Sequence, residues 1–330
     1  MSAAYRVVHC DAGPQSFAIE RAELARANAE LVPVRPRSEE ELIETIRDAD
    51  GLLVVFRPIT ARVIDALRRC RVIGRYGVGV DNVDLDAATA RGIVVANVPD
   101  YCLHEVSNHA LTFLLACAKQ LVPLNNAAKG GSWRKAPLAG IGEIYGQTLG
   151  IIGLGNIGQL VARKARAFGM EVLAHDPFVP ERVAAAHEVA LVPLAELLER
   201  SDYVSVHTPL TAETQGMLGE REFRMMKPGA CLINTSRGGV LDEAALVEAL
   251  RAGWIAGAAL DVLAKEPPDA DHPLLAMENV ILPPHTAAQS RPAMAELSRR
   301  VAAAVADVLG GRWPPAVANP AVRERITLAE

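Results

Sequence analysis

Short apolar runs alternate with stretches of helical period along almost the whole of this 330-residue chain, and the alternation stops once and restarts. Strand-like runs fall at 6–10, 31–34, 51–55, 72–74 and 93–96, with helix-period stretches at 38–47, 60–67 and 85–91. Ser38 opens the first of these helices, with Glu41 at capping-box spacing. A β-α-β-α rhythm of this kind predicts parallel strands covered by helices. Asn97-Val98-Pro99-Asp100 then interrupts it with turn chemistry. One long helix is expected over 104–121, followed by a loop at Gly130-Gly131-Ser132-Trp133. The second series of strands falls at 149–153, 171–175, 203–207, 231–234, 257–261 and 280–282. Its helices are expected at 157–168, 194–200, 242–252 and 292–309.

Two such series in one chain predict two α/β domains, and the length is comfortable for two. Hydrophobic residues make up 50% and aromatic residues only 4%, so the cores must be built from Ala, Val, Leu and Ile. The net charge of −5 comes without a run of Lys and Arg, which argues against a nucleic-acid groove. The five cysteines, Cys10, Cys70, Cys102, Cys117 and Cys231, are scattered and form no Cys-x-x-Cys pair. Neither a disulfide framework nor a metal site is expected from them. The chain opens without a basic-then-apolar leader and holds no apolar run near the ~20 residues that span a bilayer. A cytoplasmic protein with no membrane partner is the expectation.

Gly153-Leu154-Gly155-Asn156-Ile157-Gly158 follows the apolar run Leu149-Gly150-Ile151-Ile152 and opens a helix-period stretch. G-x-G-x-x-G in that setting predicts a dinucleotide site. Gly153 permits the tight turn, Gly155 lets the backbone approach a pyrophosphate, and Gly158 lets helix and strand pack closely. Free N–H groups at the helix start, from Asn156 and Ile157 onward, then face the phosphates. Asp176 ends the next strand, 23 residues after Gly153. A carboxylate there accepts hydrogen bonds from ribose hydroxyls and repels a 2′-phosphate, which predicts NAD rather than NADP. Thr208-Pro209 ends another strand of the same series and is expected to line the cofactor cleft. Arg237, Glu266 and His285 each follow a later apolar strand, so all three are expected on one crevice.

The segments INTSRGGVLDEAALVEAL (233–250), GAALDVLAKEPP (257–268) and ILPPHTAAQS (281–290), placed after GLGNIG, closely resemble the D-isomer-specific 2-hydroxyacid dehydrogenases. The resemblance runs from RYGVGVDNVDLDAATARGIVVANVP (75–99) through Ser290. It implies a Rossmann NAD-binding domain, 103–290, inserted in a flavodoxin-like substrate domain made of 1–102 and 291–330, with hinges near 97–101 and 290–292. Arg237 would hold the substrate carboxylate and polarise its carbonyl. His285 would serve as general acid and base, and Glu266 would orient it and favour its imidazolium. Thr235 is placed with the cofactor. Asp261 is expected either at the nicotinamide end or capping the next turn. Backbone amides at Val78 and Gly79 resemble the loop that receives the substrate carboxylate.

The same comparison sharpens the chemistry. Formate dehydrogenases of this family carry Gln where Glu266 stands, so an acidic partner for His285 implies proton-coupled hydride transfer to or from a small 2-oxo/2-hydroxy acid. Arg57 and Arg75 are candidates for a distal group of that acid. Asn108 stands where Glu is common in relatives, and Ala288 where the corepressor branch carries Trp. The long helix resembles the family's dimer contact, which implies a homodimer. The short tail after Leu309 fits the smaller reductases. Two other readings remain open at this point: a corepressor-like NAD-sensing binding protein, and a dehydrogenase of an inorganic donor such as phosphite. No role is expected for His9, His104, His109, His187 or His272.

Overall fold

A computed structural model describes residues 4–13, 16–133 and 142–329. Along the first series the chain runs β1 (Tyr5–His9), α1 (Ala18–Leu24), β2 (Ala29–Pro33), α2 (Glu39–Ile46) and β3 (Gly51–Val54). It continues through α3 (Ala61–Ala66), β4 (Val72–Arg75), α4 (Leu85–Ala90) and β5 (Val94–Ala96). Next come α5 (Leu103–Ala118), α6 (Leu121–Lys129), β6 (Thr148–Ile152), α7 (Asn156–Ala167), β7 (Glu171–His175) and α8 (Glu181–Ala186). The second series closes with β8 (Ala190–Leu191), α9 (Leu194–Arg200), β9 (Tyr203–Val206), α10 (Glu220–Met225) and β10 (Cys231–Asn234). After these lie α11 (Glu243–Arg251), β11 (Gly257–Leu260), β12 (Val280–Ile281) and α12 (Arg291–Leu309).

These elements form two compact units, Met1–Cys102 with Ser290–Glu330, and Leu103–Gln289. Among the described residues the first unit holds a five-stranded sheet in the order β2-β1-β3-β4-β5. Every pairing in it is parallel, and the order is that of flavodoxin-like folds. The second unit holds a seven-stranded sheet, β12-β11-β10-β9-β6-β7-β8. It too is parallel throughout, and its strand order reverses between β6 and β9. The doubly wound fold read from the sequence is therefore the observed one.

Strands buried on both faces explain why the runs are continuously apolar rather than alternating. β3, β9 and β11 contain no exposed residue at all. In the first unit α12 lays Leu297, Val301 and Val305 into the same core as Val7, Leu53 and Val72. The close approach needs Gly74 on β4, where an added Cβ would come within 2.7 Å of the Val305 side chain. Ser290 caps α12 by accepting the Ala293 amide at 3.1 Å, so it packs with that helix. Buried Asn319 covers the open edge of β5: Oδ1 accepts the Val95 amide at 2.8 Å and Nδ2 donates to the Ile93 carbonyl at 2.9 Å. That blunts an edge strand which would otherwise present unpaired amides.

Three local expectations change. The helix expected over 104–121 stops early, because α5 ends at Ala118 and Gln120 takes a left-handed conformation (φ 45), and an unexpected helix, α6, begins at Leu121. Pro123 supplies the reason: its ring would clash with a carbonyl four residues back in a continuous helix, but is tolerated in the first turn of a new one. The capping box at Ser38 is half formed. Ser38 accepts the Glu41 amide at 3.2 Å, while the Glu41 carboxylate takes the Arg37 amide at 2.7 Å instead of that of Ser38. Four short elements, α1, α8, β8 and α10, add to the expected set.

Candidate active site

The fingerprint turn is built from the features its glycines suggest. Gly153 has φ +92, and a Cβ there would lie 2.9 Å from the backbone of His207 and Thr208, which leave the end of β9. A Cβ on Gly158 would meet the Gly153 carbonyl oxygen at 2.3 Å. Gly155 is the N-cap of α7 and faces open space, with nothing within 4 Å of its Cβ position. Asn156 is exposed at the start of the helix, whereas Ile157 is half-buried and packs on the core.

Asp176 does more than the sequence suggested. Its Oδ2 accepts the Leu154 amide at 2.8 Å, tying β7 to the fingerprint turn, and Oδ1 accepts the amides of Phe178 and Val179 at 2.9 and 3.1 Å. A carboxylate has about four lone-pair sites, so room is left for a ribose hydroxyl. Thr208 and Thr235 place their Oγ1 atoms in buried positions without any hydrogen-bond partner. Buried hydroxyls are rarely left so, and a dinucleotide along this crevice would explain both. Pro209 is exposed, and its carbonyl accepts the Thr214 hydroxyl at 2.6 Å, closing the turn behind Thr208. The residues present therefore fit NAD.

Arg237 lies in a turn directly after β10. Buried Asn234 shapes that turn: Nδ2 donates to the Arg237 carbonyl at 2.9 Å, and Oδ1 accepts from both N and Oγ of Ser236. The guanidinium donates from Nη1 to the Ser236 carbonyl at 2.9 Å. Gly238 lets this turn approach the loop after β11, since a Cβ would fall 1.9 Å from the Leu263 carbonyl carbon. Glu266 ends that second loop. Its Oε1 accepts the Leu263 amide at 3.0 Å, and its Oε2 lies 2.7 Å from His285 Nδ1. The Glu266–Pro267 peptide is cis. Burial pushes the Glu266 carboxyl up, but the His285 hydrogen bond, the Leu263 amide and the charges of His285 and Arg237 outweigh it. The net effect holds Glu266 below the usual carboxylate range.

His285 has φ 53, a left-handed conformation that costs a non-glycine residue about 1 kcal/mol or more. Its strain is matched by contacts on either side. Glu266 holds Nδ1, and Asp261 accepts the amides of the next two residues, Thr286 and Ala287, each at 2.8 Å. Asp261 thus holds the turn after His285, 25 and 26 residues on, rather than the turn that follows it in sequence.

Arg237, Glu266, His285 and Asp261 lie together in the second unit. Val78 and Gly79 belong to the first, in the loop after β4. There the Val78 carbonyl accepts from Asn97 Nδ2 at 2.7 Å. Arg75 folds back on this loop, donating to the Tyr76 carbonyl at 2.7 Å, and Arg57 donates from Nη2 to the Pro36 carbonyl at 2.6 Å. Neither guanidinium is spent wholly on solvent.

Several supporting residues had no sequence signal. Glu243, the first residue of α11, accepts the Ala264 amide at 2.6 Å and lies 3.3 Å from His272 Nε2, so it braces the loop that ends at Glu266. Lys164 on α7 reaches Ser107 Oγ and Asn108 Oδ1, each at 2.6 Å. Among the described residues no group of three or more His, Cys, Asp or Glu could hold a metal, and no helix is long and apolar enough to cross a membrane.

Comparison with known proteins agrees with this geometry. The family model for the NAD-binding domain of D-isomer-specific 2-hydroxyacid dehydrogenases matches residues 111–287. A glyoxylate reductase of Korarchaeum cryptofilum is 42% identical over 291 residues, 87% of this chain and 88% of that protein. A D-3-phosphoglycerate dehydrogenase of Methanocaldococcus jannaschii is 43% identical over 284 residues, 86% of this chain but 54% of that protein. The chain thus spans about half the length of that relative. The crystal structure of a glyoxylate reductase from Paecilomyes thermophila superposes with a TM-score of 0.86 at 27% identity, covering 96% of this chain and 99% of that one. By sequence and by fold, the chain belongs to the D-isomer-specific 2-hydroxyacid dehydrogenases, an NAD-dependent family of oxidoreductases.

Proposed function

We propose that this enzyme interconverts a small 2-oxo acid and its D-2-hydroxy acid, of the size of glyoxylate or hydroxypyruvate. One observation carries the reading: His285, held at a strained φ, has Nδ1 fixed 2.7 Å from Glu266 while Arg237 is near enough for its charge to act on the same carboxylate.

Gly153–Gly158, Asp176, Thr208 and Thr235 would hold NAD, which would supply or take the hydride. The remaining work falls to side chains. With Glu266 accepting at Nδ1, His285 directs Nε2 to the substrate oxygen, giving a proton on reduction and removing one on oxidation. Arg237 binds the carboxylate and polarises the carbonyl, drawing electron density away from the carbon that receives hydride. Glu266, held below the usual carboxylate range, stays anionic at neutral pH and so remains an acceptor for the imidazole. An amide such as Gln would orient the ring without the charge.

The first unit is proposed to recognise substrate, with the backbone amides of Val78 and Gly79 as its anion-binding element and Arg57 as a candidate for a distal group. A homodimer is proposed through α5 and α6. α6 buries none of its residues; Leu121, its first, is 62% exposed, and Trp133, after its end, is 81% exposed. A cytoplasmic setting is proposed from the sequence, in which the five cysteines are scattered without a Cys-x-x-Cys pair.

The test follows NADH absorbance with purified protein and a panel of 2-oxo acids led by glyoxylate and hydroxypyruvate. Rapid NADH loss with one acid, and much slower loss with NADPH, is the expected result. NADH binding without turnover of any acid would contradict the proposal. Phosphite-dependent reduction of NAD, or NADH-dependent capture of a peptide, would point to the other two readings.

A further inference from the structure

His109 on α5 was expected to have no role, yet it faces the carboxylate that holds the His285 loop. Its Nε2 is buried without a hydrogen-bond partner and lies 3.7 Å from Asp261 Oδ1. The ring packs edge-on against Phe113, one turn further along α5, with centroids 4.4 Å apart. Asp261 itself is only 2% exposed, and its two oxygens take the amides of Thr286 and Ala287. Those amides immediately follow His285, the residue at φ 53. A conformation of that kind persists only where its surroundings over-determine it.

We propose that His109 is a positioning residue for His285, acting through Asp261. The two unmet needs coincide. A buried carboxylate requires compensation beyond two neutral amides, and a buried imidazole nitrogen requires a partner. The 3.7 Å separation is longer than a hydrogen bond. It is short enough to close by a small rotation when the site is loaded, as catalytic contacts commonly tighten on binding. With its proton on Nε2, His109 anchors Asp261 from α5. Asp261 then fixes 286–287, and the His285 ring is held in line between that anchor and Glu266. The roles divide cleanly: Glu266 sets which nitrogen of His285 is presented, and the His109–Asp261 pair sets where it is presented.

This inference rests on His285 being the acid/base, and the test separates the two. His109→Leu removes the N–H donor, His109→Asn leaves one too short to reach, and His109→Gln restores it at similar reach. The readouts are kcat, KM for the 2-oxo acid, Kd for NADH and thermal midpoint. Leu and Asn are expected to lower kcat by about tenfold or more, as small misplacements of a reacting group do. NADH affinity and KM should change by less than about twofold, and Gln should recover most of kcat. Wild-type kcat in either loss variant, or equal impairment of Gln, Leu and Asn, would overturn the proposal. Should Leu fail to fold, the Asn–Gln contrast decides alone. A His285→Ala variant that turns over normally would instead sink the underlying assignment of His285. An inactive His285→Ala beside a fully active His109→Leu would sink only the role of His109.

Discussion

At the carboxyl end of β1, Asp11 accepts the amides of Val55 and Arg57 at 2.8 and 3.1 Å, and Asn82 donates to the carbonyls of both residues. Just beyond the carboxyl ends of β9 and β10, by contrast, lie two buried threonine hydroxyls, of Thr208 and Thr235, that nothing satisfies. Both sheets are parallel and both gather polar groups at this edge, as open α/β sheets do. They use them differently. In the first unit a side-chain network closes the loops on themselves, and its own unmatched buried atoms are nitrogens, His9 Nε2 and Arg57 Nε. In the second unit glycines hold the backbone in place while hydroxyls are kept unpaired. Buried atoms left unmet at either edge call for a partner, the nitrogens of the first unit as much as the hydroxyls of the second.

Gly238→Ala should break the second arrangement most severely. Its Cβ would intrude on backbone at 1.9 Å, so the Arg237 turn and the Glu266 loop must separate. Turnover should fall at least about a hundredfold and stability by about 3 kcal/mol, measured by steady-state kinetics and denaturant unfolding. Wild-type kcat would show that the two loops need not touch. Asp11→Ala should act on the first arrangement alone. Two amides lose their acceptor, which costs about 2 kcal/mol of stability. NADH affinity, read by fluorescence titration, should stay unchanged; a parallel loss would mean the two edges are not independent.

A smaller effect separates two histidines placed alike, buried His9 at the end of β1 and half-buried His207 just after β9. Burial pushes His207 down to about 4. Burial also lowers His9, but the charges of Asp11 and Glu20 partly restore it. The unfolded chain takes up a proton near pH 6.5 that folded His207 refuses, so stability is full above pH 6.5 and falls as pH drops toward 4. His207→Gln should flatten that fall in thermal midpoint more than His9→Gln. Equal flattening would remove the distinction.

How much of this was legible follows from the range of each interaction. Both sheets could be read because buried parallel strands are continuous apolar runs, and Arg237, Glu266 and His285 because each ends such a run within a family-like segment. The break at Gln120 was legible in principle from Pro123, but apolar period alone carried the helix across it. Glu243, Asn234 and His109 were not legible. Glu243 works on an amide 21 residues away, Asn234 reads as one more polar residue at a strand end, and His109 has the spacing of an ordinary core position on α5. The off-by-one capping at Ser38 is a milder case: the spacing was right and the choice of amide was decided by loop geometry.

The central claim is that His285, aligned by Glu266, moves the proton while the fingerprint unit independently binds NAD. Measuring NADH affinity and NADH-dependent reduction of the preferred 2-oxo acid by His285→Ala tests it most directly. Affinity should stay unchanged and turnover fall by about 10³-fold, within the usual range for losing a general acid. Turnover close to that of the unmodified enzyme would contradict it.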